Sequence, residues 1–83
     1  MATESEQHII DRMVGFVGLI YSKNVDEITM NSSLTGDLGG DIYCAAELKF
    51  AVEDEFNITI SDDELESFTT VGDVVRHILN RQA

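Results

Sequence analysis

The side chains able to do chemistry in this 83-residue sequence are one thiol, two imidazoles, a scatter of hydroxyls and sixteen carboxylates. Cys44 falls near the third position of a predicted helix. A helix N-terminus favours a thiolate, whereas the neighbouring carboxylates of Asp41 and Glu47 oppose one. A packing role and a reactive thiol therefore both stay open. His8 and His77 stand alone on different predicted helices, and no histidine or cysteine spacing matches a zinc site. Asp62, Asp63, Glu64 and Glu66 attract divalent cations weakly but lack the order of an EF-hand loop. Gly36, Gly39 and Gly40 follow no strand and match neither the Walker nor the dinucleotide pattern. Catalysis needs a nucleophile beside a base, a metal cluster, or carboxylates in opposed environments. The sequence offers none of these, so no enzyme and no metal site are expected.

The densest grouping of such residues lies in Thr35–Phe56, TGDLGGDIYCAAELKFAVEDEF. It reads as a glycine-bearing turn, a capping aspartate, and a helix with one apolar and one acidic face. Asp41 is placed to accept from the free N–H groups of the first turn. Ala45, Leu48, Val52 and Phe56 recur at three and four residues and are expected to point inward, with Ala51 beside them. Glu47, Glu53, Asp54 and Glu55 lie elsewhere around the helix, interrupted by Lys49. Acidic residues in a last turn oppose the helix dipole, so the fold alone does not favour them there.

Other elements must hold this stretch in place. Ile9, Ile10, Met13, Val14, Phe16, Val17, Leu19 and Ile20 predict a first helix over about 4–22, capped by Thr3 or Ser5, with Glu4 and Glu6 in its first turn. Gly15 and Gly18 inside it predict close packing. Residues 23–40 carry turn chemistry, with Val25, Ile28, Met30, Leu34 and Leu38 spaced as anchors in a long loop. After the second helix, NITI is too short for a confident strand. Ser61 and Glu64 stand at capping-box spacing before a short helix over about 62–67. Thr70 caps a last helix to about Asn80 through Val71, Val74, Val75, Ile78 and Leu79. Residues 1–83 thus read as one all-α domain, a four-helix bundle with a long loop between helices one and two and a short third helix.

Composition bounds the partners. Sixteen acidic residues against five basic ones leave a net charge of −11, which disfavours nucleic acid and favours a basic protein surface. A single cysteine makes no internal disulfide. MATESEQ lacks the basic-then-apolar order of a leader, and no apolar run approaches the ~20 residues that span a bilayer. A cytoplasmic protein, monomeric when alone, is expected.

SLTGDLGGD from Ser33 to Asp41, AELKFAVEDEFNITISDDE from Ala46 to Glu64, and FTTVGDVV from Phe68 to Val75 resemble the bacterial stand-alone acyl carrier proteins. The resemblance runs from about Ile9 to Ile78. It implies a four-helix bundle whose second helix begins with Asp-Ser-Leu-Asp, the serine carrying phosphopantetheine. Here those positions read Asp41, Ile42, Tyr43 and Cys44. The attachment hydroxyl is replaced by a hydrocarbon, so no phosphopantetheine is expected unless the chain is a working carrier altered at this site. The resemblance also implies that basic-surfaced synthases or transferases dock on helix two, through Asp41, Glu47, Glu53 and Asp54; Ile42 and Tyr43, placed where the arm would emerge, are expected to add apolar contact. Its expected function is that of a noncovalent partner, scaffold or regulator in fatty-acid or polyketide-type biosynthesis. A small helical subunit or a thiol protein using Cys44 is the other reading.

Overall fold

The apolar repeat of the N-terminal third closes on the core as a helix. In the computed structural model, which describes residues 4–82, α1 spans Glu4–Ile20. Ile9, Met13 and Val17 recur four residues apart and are all but inaccessible, as one face of a 3.6-residue repeat requires. The helix stops short of the expected residue 22 because Ser22 adopts a left-handed φ of 56°. The Lys23 N–H then donates to the Gly18 carbonyl at 3.0 Å, satisfying a carbonyl that the helix end would leave open. The cap expected at Thr3 lies outside the described residues, and Ser5 is already within the helix. Close packing holds for Gly18 alone: a Cβ there would meet the Lys23 carbonyl at 3.1 Å, whereas Gly15 faces open space.

The long loop is tied down at both levels, by side chains and by backbone. Ile28, Leu34 and Leu38 are buried and Met30 is half-buried. Val25, expected as a further anchor, is exposed, because the short 3-10 turn Val25–Glu27 buries none of its residues. Leu34 N–H donates to the Thr69 carbonyl at 2.9 Å, Val71 N–H to Ser32 at 3.1 Å and Gly72 N–H to Met30 at 2.8 Å. These bonds stitch the loop to the junction before the last helix, with Ser33 and Thr70 facing each other in an isolated bridge. The pairing joins residues nearly forty positions apart, which no local pattern announces.

The remaining helices start where their caps say. α2 spans Ile42–Phe56, with Asp41 Oδ1 accepting from Cys44 N–H at 3.0 Å. It ends at Asn57, whose φ of 53° is left-handed. α3 spans Asp62–Ser67 behind a complete capping box: Ser61 Oγ accepts from Glu64 N–H, and the Glu64 carboxylate accepts from Ser61 N–H. α4 spans Val71–Gln82. Its start repeats the device, with Thr70 Oγ1 accepting from Asp73 N–H and Asp73 Oδ2 accepting from both Thr69 and Thr70 N–H. NITI forms no strand; it is a connector whose Ile60 is buried. Four α-helices thus surround one core in which α1, α2 and α4 supply most of the buried side chains, and α3 supplies none that is fully buried.

Candidate functional site

The site is built at the junction of the loop and α2. Gly39 takes a φ of 65°, a conformation that glycine adopts without strain. Gly40 is needed for space: a Cβ there would lie 2.1 Å from Tyr21 Cε2 and 2.7 Å from the Leu34 carbonyl. Tyr21 is buried beneath the turn. Burial, with the nearby Cys44 and Asp41 adding negative charge, pushes its phenol up to about 12. The loop therefore lies directly on the ring, one residue before the Asp41 cap of α2.

Asp41 is exposed at the cap. Hydrogen bonding from the Cys44 N–H holds its carboxyl below the usual carboxylate value, so the cap is ionised at neutral pH. Cys44 turns the other way. It is half-buried and its Sγ reaches the Ile20 carbonyl at 3.9 Å, an internal contact against the core.

Ile42 and Tyr43 project outward, 77% and 75% exposed. Further along α2, Glu47 and Asp54 are exposed and Phe50 is 65% exposed. Tyr43, Glu47, Phe50 and Asp54 step by four, three and four residues, so they share one outward stripe of alternating apolar and acidic character. Glu53 is different. It is half-buried, and its Oε2 accepts from Ile60 N–H at 2.8 Å, fastening the connector after α2. Sequence reading groups Glu53 with the free acidic face because periodicity cannot see the returning backbone.

Two hollows flank Ile42. One, of about 280 Å³, lies among Tyr21, Leu34, Gly40, Ile42, Leu48 and Phe68. The other, of about 500 Å³, runs between α2 and α3 past Ile42, Ala46, Phe50 and Leu65. Both are mainly apolar. Lys49, which runs against the acidic trend of the helix, reaches Asp62 Oδ1 at 3.4 Å on the rim. Phe50 and Leu65 are the residues that sequence reading missed. The recurrence of apolar residues at 42, 46 and 50 was the available signal, a second stripe offset from Leu48, Val52 and Phe56.

The imidazoles do not join this site. His8 is exposed on α1, and His77 packs edge-on against Phe68 with Nδ1 3.7 Å from Glu64. Among the described residues, no three histidine, cysteine or carboxylate side chains come together as a metal site. No described helix is long and apolar enough to cross a membrane.

A capped acidic helix entered through a glycine turn, with residues 11–78 matching the family model for the phosphopantetheine attachment site, decides the family. The chain belongs to the acyl carrier protein family. The acyl carrier proteins of Clostridium perfringens strains SM101, ATCC 13124 and 13 are each 41% identical to it over 70 residues, covering 84% of this chain and 92% of theirs. The family carries a phosphopantetheine group on its attachment residue, and its members are carriers rather than enzymes. In this acyl carrier family member, the turn at Gly39 and Gly40 leads into the cap at Asp41, and the exposed acidic residues Glu47 and Asp54 follow along α2.

Proposed function

We propose that this protein acts without a covalent arm, as a noncovalent partner, scaffold or regulator of synthase or transferase enzymes in fatty-acid or polyketide-type biosynthesis. The observation that carries this reading is Ile42. It occupies the first position of α2, directly after the capping aspartate, where the family resemblance puts the attachment serine. Its side chain has no nucleophilic atom and cannot form a phosphodiester, so the residues at this point do not fit the prosthetic group.

Neighbouring hydroxyls are poorly placed to substitute. Tyr43 lies about 100° further round the helix, and Ser33 Oγ already accepts from Gly36 N–H at 2.9 Å. Docking then rests on Asp41, Glu47 and Asp54 for charge and on Ile42 and Tyr43 for apolar contact, with Glu53 contributing charge while it holds the connector. Complementary charge mainly speeds encounter and sets orientation, leaving affinity to apolar burial. The partner's docking face is basic, and the protein works as a cytoplasmic monomer until it docks.

Incubation with coenzyme A and a broad-specificity phosphopantetheinyl transferase tests the reading by intact mass. No change is expected, and a gain of one phosphopantetheine arm overturns it. The family match over residues 11–78 favours a second reading, a working carrier modified at an altered site, which that gain would support. Docking is tested with purified ketosynthase and acyltransferase: Glu47→Lys with Asp54→Lys slows association, and unchanged rates count against the acidic face.

A further inference from the structure

Ile42 stands 77% exposed although apolar hollows flank it. A branched hydrocarbon left in water forgoes the burial that either hollow would give. Its backbone is held in place. The glycine turn lies on the Tyr21 ring, Asp41 Oδ1 accepts from Cys44 N–H at 3.0 Å, and Ile42 follows as the first residue of α2. Branching at Cβ restricts the side chain too, so little freedom is lost when a partner covers it. Tyr43, 75% exposed, sets an aromatic ring next to it.

The family model matching residues 11–78 is that of a phosphopantetheine attachment site. An enzyme that works on a group carried by such an arm must receive the arm through an opening that faces the attachment position of the docked carrier. In this chain that position presents a short, rigidly mounted hydrocarbon. It has no hydroxyl, thiol or thioester to hand over, so a docked complex cannot turn over.

Resting on the noncovalent reading above, we infer that this protein is a dead-end competitor of arm-bearing carriers, and that Ile42 is the group that makes it one. The isoleucine enters the mouth of the partner enzyme's arm channel and closes it, with Tyr43 against the rim. Acidic charge speeds the encounter, and burial of Ile42 in the mouth slows departure. The enzyme is then regulated by the ratio of this protein to loaded carrier.

The test assays a purified ketosynthase with two substrates. One is a loaded acyl carrier protein; the other is an acyl-pantetheine thioester, a small molecule that uses the same channel without docking. This protein is expected to raise KM for both and to leave kcat unchanged. Ile42→Ala is expected to raise the inhibition constant roughly tenfold, equivalent to about 1.4 kcal/mol. Leu19→Ala, which removes another exposed apolar side chain, on α1, is expected to leave the constant as it was. Inhibition of the carrier reaction alone, with acyl-pantetheine turnover untouched, overturns the inference. So does inhibition that Ile42→Ala fails to weaken or that Leu19→Ala weakens equally, and so does association that leaves turnover unchanged or raises it. In each of those cases, slower association of the Glu47→Lys, Asp54→Lys variant keeps the docking reading standing while the plug fails. Absence of any association, or a gain of one arm from the phosphopantetheinyl transferase, removes the docking reading and the competitor with it.

Discussion

α2 carries large apolar side chains on two sides, and they meet opposite fates. Leu48 and Val52 are 2% and 0% exposed, while Ile42, Tyr43 and Phe50 on the same helix are each at least 65% exposed. The inner set is demanded by the fold: it is the seam against α1 and the rest of the core. The outer set stands mostly in water and forgoes most of the burial that the inner set obtains. The residues that the core does not need are Ile42 and Tyr43 at the start of α2 and Phe50 two turns on, and the proposed docking would use the first two.

Mutation separates the two sides. The largest effect is expected inside. Leu48→Ala should destabilise the protein by about 2–5 kcal/mol through lost burial and a residual cavity, enough in a domain of this size to leave it largely unfolded in urea titrations at low denaturant. Gly40→Ala comes next, at about 1–3 kcal/mol, because the methyl must displace the Tyr21 ring or the Leu34 carbonyl. A crystal structure or amide shifts of that variant should show the start of α2 displaced, whereas a fold and stability equal to the parent would mean that the ring does not set the junction.

A smaller, pH-dependent effect is expected at α3. Hydrogen bonding from Ser61 N–H, then from Arg81, brings the Glu64 carboxyl down to about 2 from an ordinary 4.5. A carboxyl lowered on folding stabilises the fold above its unfolded value and loses that contribution as the pH falls through its folded value. Glu64→Gln should therefore lower Tm at pH 7, and the gap to the parent should close between about pH 4.5 and pH 2. A gap constant across that window would sink the assignment. The smallest stability effect belongs to the outer side: Ile42→Ser should stay within about 0.5 kcal/mol of the parent. It is also the sharpest test of function. Modification of that variant by the transferase would show that only the hydroxyl is missing, and no modification that the recognition surface has diverged too.

Much of this was legible in the sequence because it is local. Repeats at three and four residues placed α1, α2 and α4, and the pair Ser61 with Glu64 and the cap at Thr70 marked two helix starts to the residue. Asp41 was legible as a cap for the same reason. The internal bond of Glu53 was not, since it depends on the connector that returns past α2; the early end of α1 and the exposure of Val25 were not either, because a left-handed Ser22 and a 3-10 turn at Val25–Glu27 leave no mark in the apolar period.

By itself the sequence determined that this is a small acidic helical domain of the carrier type, with a hydrocarbon directly after the capping aspartate. Hydrophobic period, capping chemistry and charge are properties of neighbouring residues, so they survive without a fold. Only the tertiary structure decided that Gly40 rests on Tyr21, that Glu53 closes the connector, and that Ile42 stands exposed between apolar hollows, one of them reaching α3. Those are contacts between segments, and their distances exist only once α2, α3 and the long loop have packed around one core.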